Sequence, residues 1–258
     1  MSANELSTTA LWLIGVVSAF AGGLGAMLGV GGGIILVPVL ISFFGVDAIH
    51  ARTASLVAVC VTSMAGSLVY LREGETDLVS ASYLQLPTAI GAVIGALIGG
   101  RLNDEVIRFL FAITVVLVAI RMLLPQRAES VSGQKSWMYA GLACVGGGLL
   151  SSLLGVGGGI VFVPVLVLLL SLPQRTASAT STYLIGLTAA ASALIYFKQG
   201  QMDAGLAIPT ALGILVGAQV GARLSGLVRG DYLRRAFAVL MFVNAFLLFR
   251  GVLGVWLA

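Results

Sequence analysis

Twelve residues, Gly29-Val-Gly-Gly-Gly-Ile-Ile-Leu-Val-Pro-Val-Leu40, recur as Gly155-Val-Gly-Gly-Gly-Ile-Val-Phe-Val-Pro-Val-Leu166, with ten of the twelve positions identical. Each copy of the block lies in a long apolar stretch and breaks it with three consecutive glycines. A glycine inside a helix costs about 1 kcal/mol relative to alanine, so three in a row interrupt the helix. The same offset, without a gap, pairs Ser55 with Ser181, Thr62 with Thr188, Tyr70 with Tyr196, Gly74 with Gly200 and Asp77 with Asp203. After a four-residue length difference, Leu86-Pro-Thr-Ala-Ile-Gly91 aligns with Ile208-Pro-Thr-Ala-Leu-Gly213, and Gly95, Gly99 and Arg101 match Gly217, Gly221 and Arg223. Compositional bias gives scattered matches of Gly and Leu, not an ordered series of Pro, Tyr, Asp and Arg. The chain is therefore two copies of one hydrophobic unit.

Composition fixes the solvent of that unit. Of 258 residues, 59% are hydrophobic and 9% charged, against roughly 25% charged in a soluble domain. Apolar runs of about 20 residues, long enough to cross a bilayer, recur along the whole chain. Hydropathy marks segments at 9–29, 33–45, 53–71, 80–100 and 105–124, and again at 137–155, 159–171, 176–197, 204–223 and 232–256. This divides the chain into a first membrane repeat (1–124), a polar linker (125–136) and a second repeat (137–258). The expected fold is an all-α integral membrane protein with 4–5 segments per repeat. The net charge of +4 comes from single or paired basic residues between apolar runs, as in loops facing the cytoplasm, and does not indicate a nucleic-acid partner. Cys60 and Cys144 lie in apolar runs without a CxxC neighbour, the pattern of small packing residues. Met1 to Thr9 contain no Lys or Arg, so the first apolar run reads as a retained span and not as a signal peptide.

The orientation of the copies depends on segment 33–45, which is short and contains Pro38. If it crosses, each half crosses an odd number of times and the copies are inverted; if it re-enters, they are parallel. In the inverted arrangement Arg72, Arg121, Arg127, Lys135, Arg175, Arg223, Arg229, Arg234 and Arg235 share one side, and Arg52, Arg101, Arg108, Lys198 and Arg250 the other, nine against five. The parallel arrangement divides them eight against six. The asymmetry of basic residues favours inversion, with the linker in the cytoplasm.

The breaks themselves are the best candidates for chemistry. A backbone unwound at Gly31, Gly32 and Gly33 must be satisfied within the protein. The helix that restarts near Ile34 presents free N–H groups and the positive end of its dipole to the break, the elements of an anion site. Gly157, Gly158 and Gly159 repeat the arrangement, and two such helix starts meeting near the midplane make a central site, as in transporters with internal repeats. Close helix packing through small residues is the plainer alternative for each motif. Pro38 and Pro164, five residues after the last glycine, remove an N–H and kink the short helices, as packing kinks or as hinges. Ser55, Thr180 and Ser181 open the following segments, either as helix caps or as hydroxyl donors to a bound anion. Arg52 starts the third segment and is either a loop charge or an anion ligand; its gap-free counterpart is Ser178, not Arg175. The stripes Gly91/Gly95/Gly99 and Gly213/Gly217/Gly221 read as close-packing surfaces.

Asp and Glu fall in or beside loops and not in spans, and neither a nucleophile elbow nor a phosphate-binding loop is present. The sequence points to no enzyme, no metal and no cofactor. The duplicated GxGGGxxxVPxL block, the pairs Ala54-Ser55 and Thr180-Ser181, and the loops Tyr70 to Asp77 and Tyr196 to Asp203 resemble the sulfite exporter TauE/SafE family of bacterial permeases, from about residue 10 to residue 250. The resemblance implies a carrier of a small sulfur-containing anion such as sulfite, sulfoacetate or a related sulfonate in the bacterial cytoplasmic membrane; export by alternating access is the expected direction, and the family does not fix it. Ala54, where the family often has Thr, departs from the pattern. The expected partners are that anion and the lipid bilayer, with a homo-oligomer open. An anion channel and a non-transporting accessory subunit are the rival functions.

Overall fold

The computed structural model describes residues 8–28, 32–123, 136–224 and 239. Among the described residues are nine helices and no strand: α1 (Thr8–Leu28), α2 (Gly33–Phe44), α3 (Ala48–Arg72), α4 (Leu78–Gly99), α5 (Asp104–Leu123), α6 (Trp137–Leu154), α7 (Gly159–Leu170), α8 (Gln174–Lys198) and α9 (Ala204–Leu224). Gly29, Val30 and Gly31, the linker apart from Ser136, and the expected last segment at 232–256 apart from Val239 lie outside the described residues. The helices α3, α4, α6, α8 and α9 are long and apolar enough to cross a membrane. Large apolar side chains such as Trp12, Phe20, Tyr83, Leu142 and Phe197 remain exposed on the bundle. This is the surface expected of a multi-pass membrane protein, where lipid replaces water and every backbone polar group must be paired internally.

The expected segments and the helices coincide closely, with one informative difference. Helix α3 starts at Ala48, five residues before its apolar run. Gly45, in the left-handed region at φ 63°, closes α2, and Asp47 takes the position before the first turn of α3. His50 and Arg52 lower the hydropathy of this turn without opposing a helix, so apolarity alone places the start too late. Asp47 and Pro173 hold the N-cap positions of α3 and α8, with no side-chain capping bond in either. Thr53, Ser55, Thr180 and Ser181 therefore lie inside the helices, and capping is not their role. Pro38 and Pro164 fall in the second turn of α2 and α7.

Helix α1 packs along α9, α4 along α6, and α3 against α8. The glycine stripes make these contacts. A Cβ added to Gly217 would overlap the carbonyl of Ala19, one on Gly213 that of Gly15, one on Gly91 that of Val145, and one on Gly95 would stand 2.5 Å from the carbonyl oxygen of Leu149. Touching residues advance in the same direction along α1 and α9 and along α4 and α6, so both pairs are parallel. The pair α3/α8 is antiparallel: the Thr53 hydroxyl donates to the carbonyl of Gln201 (3.3 Å), beyond the end of α8, and the amide of Asp77, beyond the end of α3, donates to Thr180 Oγ1 (3.0 Å). Arg175 Nε pairs with Glu75 at 3.1 Å at that same end. The amide of Ser136, before α6, donates to Leu169 O near the end of α7 (3.1 Å). The break and α7 together thus return the chain to the side from which α6 started. The short helix α2 is enclosed, with Ile34, Leu36, Val37 and Leu40 fully buried.

A Cβ added to Gly146 would meet only open space, unlike one on Gly217. Gly217→Ala forces α1 and α9 apart and is expected to cost about 1–3 kcal/mol, lowering the melting temperature in detergent by several degrees. Gly146→Ala, which only restrains the unfolded chain, leaves it unchanged or raises it. Equal melting curves for the two variants would contradict the close approach of α1 and α9.

Candidate functional site

Helix α6 ends at Leu154, and Gly155 turns out of it with φ 70°. The amides of Gly155 (2.8 Å) and Val156 (3.3 Å) both donate to Ser151 O. Gly157 (φ 89°) and Gly158 (φ 75°) continue the turn in the left-handed region, which costs glycine nothing and other residues steric strain. Space imposes the same choice: a Cβ on Gly155 would stand 2.7 Å from Arg52 O, and one on Gly157 2.7 Å from Val59 Cγ1. The first bonds of α7 run from the amides of Val161 (2.9 Å) and Phe162 (3.0 Å) to Gly158 O. The N–H groups of Gly159 and Ile160 precede the first intrahelical acceptor.

At the first break Gly32 has helical angles (φ −68°, ψ −16°), and the amides of Ile35 (3.2 Å) and Leu36 (3.1 Å) donate to Gly32 O. The N–H groups of Gly33 and Ile34 stand where those of Gly159 and Ile160 do in α7. Gly31 lies outside the described residues. The two breaks touch. A Cβ on Gly33 would be 2.8 Å from Gly155 O, 2.7 Å from Ser55 Oγ and 2.9 Å from Val59 Cγ2. Val59 of α3 therefore stands against Gly33 of one break and Gly157 of the other.

The hydroxyls singled out in the sequence divide into three environments. Ser55 is buried, and its hydroxyl donates to Gly155 O (2.7 Å), tying α3 of the first copy to the break of the second. Thr180 is buried and receives the amide of Asp77, holding the α3–α4 loop. Ser181 is buried, and its hydroxyl has no hydrogen-bond partner among the described residues. Pro38 and Pro164 lie inside α2 and α7, away from the glycine turns.

Arg52 is fully buried, one turn inside α3. Its guanidinium donates to Gly99 O at the end of α4 (2.7 Å) and to Leu153 O at the end of α6 (3.2 Å), and lies 4.7 Å from the ring centre of Tyr196. The carbonyl ends of two helices carry partial negative charge, and a cation shared between them satisfies acceptors that lipid cannot. The Tyr196 hydroxyl donates to Ser152 O (3.2 Å). Arg52 and Tyr196 thus join α3 and α4 of the first copy to α6 and α8 of the second. Arg175, by contrast, is exposed and pairs with Glu73 and Glu75, so the two arginines differ in role as their gapped alignment suggests.

Sequence reasoning passed over three of these residues. Tyr196 is visible only as the repeat partner of Tyr70, and its placement over Arg52 depends on α3 and α8 being antiparallel. Ser151 and Ser152, both buried with unpartnered hydroxyls, replace Gly25 and Ala26 of the first copy; that departure from the repeat is the signal that marks them. Among the described residues no three His, Cys, Asp or Glu side chains are grouped to hold a metal ion. The groove between α1 and α9, lined by Trp12, Val16, Pro209 and Val216, is almost wholly apolar and offers no anion donors.

Arg52→Met strands two buried carbonyls and is expected to destabilise the protein by about 2–4 kcal/mol, whereas Tyr196→Phe and Ser55→Ala each remove one neutral hydrogen bond and cost about 1 kcal/mol. Thermal unfolding in detergent ranks the three. A melting temperature for Arg52→Met at or above that of Tyr196→Phe would refute the clamp.

Similarity to known proteins agrees with this architecture. The chain is 25% identical over 236 residues to the probable membrane transporter protein YunE of Bacillus subtilis, covering 81% of this chain and 86% of the relative. It is 26% identical over 205 residues to a probable membrane transporter protein of Xylella fastidiosa (77% and 78% covered). It is 24% identical over 238 residues to one of Methanocaldococcus jannaschii (86% and 89% covered). No solved structure matches. The family model described as sulfite exporter TauE/SafE matches residues 14–248. The chain is a multi-pass membrane transporter that belongs to the sulfite exporter TauE/SafE family.

Proposed function

We propose that this protein is a secondary transporter that exports a small sulfur-containing oxyanion, sulfite or an organosulfonate such as sulfoacetate, across the bacterial cytoplasmic membrane. The observation that carries the proposal is the contact between the two glycine breaks at Gly33 and Gly155, with Val59 of α3 standing against Gly33 of one and Gly157 of the other. Backbone N–H groups and hydroxyls supply the donors an oxyanion needs, and glycine allows close approach. The name of the family supports the substrate class.

In this reading the two copies are inverted. The antiparallel pairing of α3 with its repeat equivalent α8 and the return of α7 to the side where α6 begins support inversion. Alternating access then follows from rocking one repeat against the other about the breaks, with Pro38 and Pro164 loosening the short helices that move. The Arg52–Tyr196 clamp joins the repeats at one end of the bundle only, since the equivalents of these residues are Ser178 and Tyr70. One end is held shut by a buried cation while the other lacks that brace.

Purified protein in proteoliposomes is expected to carry sulfite or sulfoacetate with saturable kinetics. Gly32→Leu combined with Gly158→Leu is expected to abolish flux, with size-exclusion chromatography confirming that the variant remains folded. Flux that never saturates would favour a channel, and undiminished flux in the folded double variant would remove the breaks from the transport site.

A further inference from the structure

We infer that Ser151, at the end of α6, is a substrate-binding residue, and that it makes the second break the half of the site that holds the oxyanion. This rests on the proposed anion transport and specifies which side of the duplicated motif does the binding.

Four observations converge on Ser151. It is 2% exposed, and its hydroxyl has no hydrogen-bond partner among the described residues. Buried hydroxyls are almost always paired, and an unpaired one is costly; of the two adjacent open serines, Ser152 abuts Gly95 of α4 and Ser151 stands at the glycine turn. It stands beside the residue that caps α7: a Cβ on Gly158 would lie 3.1 Å from Ser151 Cβ. There it faces the helix start whose first N–H groups, on Gly159 and Ile160, have no intrahelical acceptor. The Phe162 ring packs against Gly147 and Gly158, one turn before Ser151 on α6 and at the cap itself, closing the apolar side of this corner. A second buried hydroxyl without a partner among the described residues lies on α8. Ser181 is buried and unpartnered, one turn before Ile185 on the same face of α8, and Ile185 Cγ2 would lie 3.1 Å from a Cβ on Gly157.

The first copy lacks this set. Gly25 stands where the second copy has Ser151. Gly32 has helical angles where Gly158 is left-handed. The hydroxyl of Ser55, the equivalent of Ser181, is engaged by Gly155 O. Duplication supplied two helix starts, and among the described residues the second has the open serine hydroxyl of Ser151 beside it. A hydroxyl donor beside a helix start with two backbone N–H groups suits a compact oxyanion, such as sulfite or the sulfonate end of a longer molecule.

Melting temperature in detergent is measured against rising sulfite, sulfate and sulfoacetate for the wild type, Ser151→Ala and Ser152→Ala. Ser152, also buried and unpartnered, faces α4 at Gly95 and is the control. The expected result is stabilisation of the wild type by at least one anion. Ser151→Ala should need about tenfold more of it for the same rise, the loss of one hydrogen bond to a charged group, with its ligand-free melting temperature little changed. Ser152→Ala should respond as the wild type does. If Ser151→Ala also responds as the wild type does, or if both serine variants weaken equally, the role of Ser151 is overturned while the anion site stands. If none of the anions stabilises the wild type, the anion site and the role of Ser151 fall together. Should Ser151→Ala not fold, Ser151→Gly, which installs the residue of the first copy, is read by the same criteria.

Discussion

A bilayer offers no partner to an unwound backbone, and this chain unwinds its backbone between α6 and α7. The rest of the bundle is arranged to make that tolerable. The second break is wrapped by α3, α6 and α8, and its turn is held from three directions: Ser151 O takes two of its amides, Ser55 gives a proton to Gly155 O, and Arg52 takes up the carbonyl of Leu153 just before it. Glycine is required there twice over, by the left-handed angles and by the atoms that crowd each missing Cβ. What is gained is a pair of helix starts in the protein interior with N–H groups that no helix turn uses.

The same contacts that satisfy the breaks join the two copies. Ser55 and Arg52 belong to the first copy and reach into the second; Thr180 belongs to the second and holds the Asp77 loop of the first. Helix pairs are shared likewise, α1 with α9 and α4 with α6. Neither repeat is a self-contained bundle, so a movement of one relative to the other must act on the breaks. The exchange is not symmetric. Arg52 and Tyr196 occupy one end, and their equivalents Ser178 and Tyr70 cannot form the same cation–ring contact at the other.

Much of the helix layout is legible in the sequence because lipid imposes a simple rule, a run of apolar residues of fixed length, and because duplication lets each copy check the other. The error at the start of α3 has the same origin: His50 and Arg52 are polar, so hydropathy excludes a turn that the backbone forms readily. For the site, the glycines are legible and the side chains much less so. Ser55 and Ser181 share a motif position, with Thr180 the neighbour of the latter, and the three differ in what they touch. Whether a hydroxyl is free or engaged depends on which carbonyl of the other repeat arrives beside it. Arg52 reads as a loop charge or an anion ligand until Gly99, Leu153 and Tyr196 are brought around it from three other helices.

By itself the sequence determined the membrane environment, the two copies, the positions of the breaks and the small-residue stripes, because these follow from apolarity, helix propensity and internal repetition, all of which are local or periodic. Only the tertiary structure decided that Gly33 meets Gly155, that α3 and α8 run antiparallel, that Arg52 clamps two helix ends and that Ser151 and Ser181 keep open hydroxyls. Those depend on which residues far apart in the chain come within hydrogen-bonding distance, and a one-dimensional pattern of hydropathy carries no term for that.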